Sequence, residues 1–223
     1  LLTDIMVHPA FSAAEWDKVR QEMLARLKRS QDQPRAVAAD LLSKTMFAGT
    51  PYGRSVSDRH EALPAIEADD LKSFWSEYFK PLPIAVSYHG AASPEQVSLG
   101  LAPLAELQGR APASATIEIK PLESEIHAPF AMPGKTQVNL YIGWHAPEIT
   151  SGDWVLWELA AKAIGGDLAG RLWKLRQGEG LAYSVWMESD ALAEQPIGYV
   201  YMATAAEKRE SALAAIRREI GAA

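Results

Sequence analysis

The sequence predicts an α+β fold. Three observations carry that reading. Apolar residues recur at helical spacing over residues 12–31 and again near the C-terminal end at Leu213, Ile216 and Ile220. Gln137–Trp144 and Leu181–Met187 instead alternate apolar and polar residues with the period of a strand. Tyr199–Thr204 follows the second of these after Gln195-Pro196-Ile197-Gly198, which makes the pair an antiparallel hairpin with a long loop.

Taken in order, Ser12 and Glu15 form a capping box, and Trp16, Val19, Met23 and Leu27 supply the apolar stripe of the first long helix. After Pro34 a second helix is expected over 35–47, with Val37, Leu41, Leu42, Met46 and Phe47, ending in the turn formers Gly49-Thr50-Pro51-Tyr52-Gly53. Asp69-Asp70 place acids at the dipole-positive start of a third helix, with Leu71, Phe74, Trp75 and Tyr78 behind them. Ile84-Ala85-Val86-Ser87-Tyr88 reads as a short buried strand, and Ser93-Pro94-Glu95 as the cap and first turn of a fourth helix. Residues 108–120 are poor in large apolar side chains, so the domain boundary is expected there. Beyond the strand at 137–144, Trp154, Trp157, Ala160, Ala161 and Ile164 form a helix ended by Gly165-Gly166, and a short helix follows over about 167–177. Leu213, Ile216 and Ile220 mark the closing amphipathic helix.

Composition narrows the function classes. The 223 residues are 48% apolar and 22% charged, enough to bury a core, and no repeat or low-complexity tract stands out. The net charge of -6 arises from interspersed acids and bases without a basic stripe, which argues against nucleic acid as a partner. No apolar run reaches the roughly 18–20 residues of a membrane span. With no cysteine, disulfides, thiolate metal sites and cysteine nucleophiles are excluded, and periplasm and cytoplasm, the compartments of a soluble bacterial-type protein, fit equally. Leu1-Leu2-Thr3-Asp4-Ile5 has no basic leader and reads as the inside of a helix, so the chain is expected to be a fragment.

The chemistry-bearing residues are sparse. A zinc hydrolase needs ligands at fixed spacing, such as two histidines at i and i+4 with a glutamate between them. His8, His60, His89, His127 and His145 are widely separated, so no metal ligand is assigned. No serine stands in a nucleophile motif, and Gly165-Gly166 with Gly170 lacks the lysine of a phosphate-binding loop.

The most informative stretch runs from Ile164 to Val185. It contains Gly165-Gly166, Arg171-Leu172, Leu175-Arg176, Gly180-Leu181, Tyr183 and Val185, in the order helix, glycine turn, strand. This stretch resembles the non-catalytic half of pitrilysin/insulinase-type zinc peptidases, the family that includes the mitochondrial processing peptidase. Pro51-Tyr52-Gly53, Ala65-Ile66, Asp70-Leu71, Phe74, Tyr88, Gly90 and Gln137 extend the resemblance over nearly the whole chain.

The resemblance implies a metallopeptidase-like fold of antiparallel sheets covered on one side by helices. It implies that residues 1–115 are the C-terminal part of one such domain and 116–223 the N-terminal part of the next. It assigns Arg176 and Tyr183 to the substrate backbone, with Arg171 as a further candidate. A guanidinium and a phenol suit that role, because donors aimed at a carbonyl that becomes an oxyanion favour the transition state. The zinc would sit in a catalytic partner domain or subunit, with a peptide as substrate. Where catalytic members carry their third zinc ligand this chain has Arg26, a cation that cannot ligate a metal. Leftover apolar surface makes a homodimer of the chain a further expectation. Two alternatives stay open: a piece of a catalytic peptidase whose zinc motif lies upstream, and a scaffold subunit of the same fold.

Overall fold

The computed structural model describes residues 1–80, 83–107, 117–166, 170–190 and 196–221. The chain divides into two units, Leu1–Arg26 with His60–Thr116, and Leu27–Arg59 with Ile117–Ala223. The stretch 27–59, which a cut at residue 115 places in the first half, therefore belongs to the second unit. Residues 108–116 of the expected linker lie outside the described residues.

The first unit is helical among its described residues. It holds α1 (Leu2–Val7), the start of α2 (Ala13–Gln31), the end of α4 (Val56–Ala62), α5 (Ala68–Phe74) continued by one π-type turn, and α6 (Pro94–Leu101). The Ser12 hydroxyl accepts from the Glu15 N–H at 3.3 Å, as the capping reading requires. Ser93 and Gln96 cap α6 reciprocally, at 3.3 and 2.9 Å. Trp16 donates its indole N–H to the Ile66 carbonyl at 2.8 Å, and Arg20 reaches the same carbonyl at 3.1 Å, which ties α2 to the turn before α5.

The strand expected over Ile84–Tyr88 is not formed. Residues 83–89 carry no regular secondary structure, and Ile84, Val86 and Tyr88 are exposed. A strand needs a neighbour to satisfy its backbone groups, and among the described residues every paired strand lies in the second unit.

The second unit contains the α+β architecture that the sequence predicts. Strands β1 (Gln137–His145), β2 (Ser184–Asp190) and β3 (Ile197–Ala205) form an antiparallel sheet in the order β1-β3-β2. The hairpin register pairs Val185 with Met202 and Met187 with Val200, and residues 191–195 of its loop lie outside the described residues. One face of the sheet packs Leu140, Ile142, Val185, Met187, Val200 and Met202 against α7 (Asp153–Gly165), α8 (Trp173–Gln177) and α9 (Arg209–Gly221). β3 is buried along most of its length because it has a strand on either side. A helix also lies on the opposite face. There α3 (Pro34–Met46), started by Pro34 at its first turn, lays Leu42 and Met46 so close to Gly143 that a Cβ at that position would sit 2.7 Å from Leu42. That contact is why residues 34–46 go with the later unit.

Candidate functional site

The segment that the sequence singles out forms the junction α7, turn, α8, β2. Gly165 ends α7 against β2 at a distance that excludes a side chain: a Cβ there would lie 2.3 Å from the Met187 Cβ and 2.4 Å from its backbone nitrogen. At Gly166 and Gly170 an added Cβ would likewise meet a backbone carbonyl oxygen at 2.8 Å.

The short helix is shorter than the 167–177 expected of it, beginning only at Trp173, and residues 167–169 lie outside the described residues. Arg171 and Leu172 donate their N–H groups to the Ala163 and Ile164 carbonyls, at 3.2 and 2.8 Å. Those bonds satisfy the end of α7 and keep residues 171 and 172 out of the next helix. Likewise the strand expected from Leu181 begins at Ser184, because the Leu181 N–H is bonded to the Leu175 carbonyl at 2.8 Å.

Leu172 and Leu175 anchor α8 in the core, fully buried. The turn that follows passes through Gly180 with φ of 60°, a left-handed conformation suited to glycine. Two side chains pin it: Lys208 donates to the Gly180 carbonyl at 2.9 Å and the buried Thr204 hydroxyl to the Leu181 carbonyl at 2.7 Å.

The three candidate residues stand in different surroundings. Arg171 faces the carboxylate of Glu219 on α9 at 3.5 Å. Arg176 places its guanidinium carbon 4.6 Å from the centre of the Trp173 ring, a cation-π contact within α8. Tyr183 stands immediately before β2. Its N–H is bonded to the Ala203 carbonyl at 2.8 Å, while its side chain is 55% exposed. No hydrogen bond joins Arg176 to Tyr183 among the described residues, and neither side chain is held in an ion pair there.

Two features of the site region were not singled out in the sequence. The first is Glu219, 2% exposed, whose carboxylate accepts from Lys174 at 2.7 Å and from Arg218 at 3.0 Å besides facing Arg171. The Lys174 ammonium, followed by Arg218, holds this carboxyl below the usual carboxylate range against the opposing effect of burial. The second lies on the α3 face of the sheet, where Arg35 sits 4.5 Å over Trp186 and 5.2 Å over Tyr201. There Tyr201 donates to Asn139 at 2.7 Å and Tyr199 to Glu188 at 2.9 Å. Burial, then the hydrogen bond to Glu188, pushes the Tyr199 phenol well up from its ordinary value.

Among the described residues no three His, Asp or Glu side chains converge as a metal site.

Comparison with known proteins decides the family. The sequence profile described as the peptidase M16 inactive domain matches residues 65–223, well over half of the chain. The chain belongs to the peptidase M16 inactive-domain family. It is similar to the Bacillus subtilis protein named "Uncharacterized zinc protease YmxG", at 24% identity over 213 residues, covering 93% of this chain and 50% of that one. It is also similar to the "Non-peptidase homolog YmxG" of Helicobacter pylori, at 26% identity over 224 residues, covering 95% and 50%. A crystal structure of a peptidase M16 inactive domain from Pseudomonas fluorescens superposes with a TM-score of 0.78 at 20% identity, covering 98% of this chain and 53% of that one, and shows the fold. This M16 chain spans about half the length of the curated relatives it matches. The resemblance carried by residues 164–185 is a true family relationship.

Proposed function

We propose that this inactive M16 domain is the substrate-holding part of a zinc-dependent endopeptidase. On this reading it assists cleavage by a zinc-bearing domain, either on the same polypeptide or on a paired subunit. The observation that supports the reading is the state of the donors. Tyr183 is exposed, and its hydroxyl, like the Arg176 guanidinium, makes no hydrogen bond among the described residues. Arg171 differs, since Glu219 engages it. Two donors held by a core-anchored helix and a pinned turn can meet a peptide carbonyl without first breaking an internal hydrogen bond or ion pair. In the same reading, residues 1–115 complete one peptidase-like domain and 116–223 open the next, with residues 27–59 of the first stretch packed in the later unit.

The experiment is peptide binding by this chain, followed by isothermal calorimetry with an unstructured peptide. Arg176→Ala and Tyr183→Phe are each expected to weaken binding several-fold at unchanged melting temperature, and Arg171→Ala to act mainly on stability. Unchanged binding in both site variants would favour the scaffold alternative, toward which the name of the Helicobacter relative also points.

A further inference from the structure

Helix α7 is apolar on two faces. Trp157, Ala161 and Ile164 face the sheet, where Trp157 abuts Gly198 and its indole N–H donates to Ser189 at 2.9 Å. On the opposite side Val155, Leu156 and Leu159 are 62%, 65% and 63% exposed. At 100° per residue Glu158 falls between the two faces and Lys162 at the edge of the outer stripe, about 20° from Val155, so three adjoining apolar side chains are bordered there by one charge. A surface helix normally carries its polar residues on the side away from the sheet, where α7 instead exposes Val155, Leu156 and Leu159.

We propose that the Val155, Leu156, Leu159 stripe is a docking surface for the remaining half of a longer polypeptide, which under the function proposed above is the zinc-bearing half. Two observations select this occupant. The matched relatives carry about as much chain again beside the stretch that aligns here. The stripe is also small. A 13-residue helix is about 20 Å long, and three side chains along it offer far less than the roughly 1,200–2,000 Å² that a stable complex of separate chains buries. Linked halves meet at effective concentrations of the order of millimolar, and a contact of this size then suffices. The stripe is therefore matched to a tethered partner with an apolar face and not to a second copy.

The chain has no cysteine, so a single introduced thiol reports on the stripe. Leu159→Cys would be placed in this chain and in the full-length polypeptide, any other cysteine there being replaced by serine, and maleimide labelling rates compared with those of the exposed control Glu207→Cys. The thiol at 159 is expected to react at the control's rate in the short chain and at least tenfold more slowly in the full-length protein. Adding Leu156→Glu should restore the rate. Equal rates in the two proteins would overturn the proposal, as would slow labelling in the short chain that deepens with its concentration, which would assign the stripe to a second copy. Arg176→Ala is expected to leave the protection unchanged, so failure of the substrate-holding reading and failure of the docking surface are read separately.

Discussion

Glu219 on α9 and Lys174 on α8 meet at 2.7 Å, with the carboxylate buried and the ammonium half exposed. The pair joins a five-residue helix, too short to be stable alone, to a helix whose Ala212, Ala215 and Ile216 lie in the core. The asymmetry of burial sets what each substitution does. Glu219→Gln removes the charge on which three cations converge, and is expected to lower stability by about 1–2 kcal/mol in urea unfolding. Lys174→Met leaves Arg218 and Arg171 on the carboxylate, and its cost should stay below about 1 kcal/mol.

The same carboxyl gives a pH dependence. Its folded pKa is depressed, so its contribution to stability is fully present above the unfolded value, about 4.3, and is lost as pH falls through the lower folded value. Melting temperatures of the wild type and Glu219→Gln should differ at pH 7 and draw together as the pH falls below the unfolded value of about 4.3. A difference that persists at low pH would assign the effect to packing and not to charge.

Two glycines, one at the α7–α8 junction and one in α6, predict opposite outcomes. Gly165→Ala drives a Cβ into Met187 and should cost about 1–3 kcal/mol. Gly100→Ala, in α6 with open space around it, should be neutral or stabilise by up to about 1 kcal/mol. Thermal unfolding of the two variants side by side checks both.

Much of this junction was legible in the sequence, because helix period, strand alternation and turn glycines are local signals. Residues 137–144 and 181–187 read as strands by alternation and 199–204 as the partner that follows the connection at 195–198, and the observed strands overlap all three. Pairing is not local, which is why Ile84–Tyr88 has strand chemistry without a strand. Glu219 was missed although it follows Ala212, Ala215 and Ile216 at the spacing of the buried stripe of α9. An acid on an apolar stripe implies a cationic partner, and that partner lies 45 residues away in sequence. Arg35 follows Pro34 in a helix start and reads as a solvated charge. Its position over Trp186 and Tyr201 depends on how α3 lies across the sheet, which no spacing within α3 encodes.

Metal content is a separate check. After exhaustive dialysis the chain is expected to retain no stoichiometric zinc by elemental analysis, since the resemblance puts Arg26 where catalytic members have a carboxylate and no three donors converge among the described residues. One tightly held zinc per chain would point to the catalytic alternative.

Arg176 and Tyr183 are proposed as the donors to the substrate carbonyl, and single-turnover kinetics of the assembled peptidase test that role most directly. Arg176→Ala and Tyr183→Phe are each expected to lower kcat by on the order of tenfold to a thousandfold, with zinc content and melting temperature unchanged. A Tyr183→Phe enzyme with full kcat and a reduced melting temperature would contradict the account and leave both residues as parts of the fold.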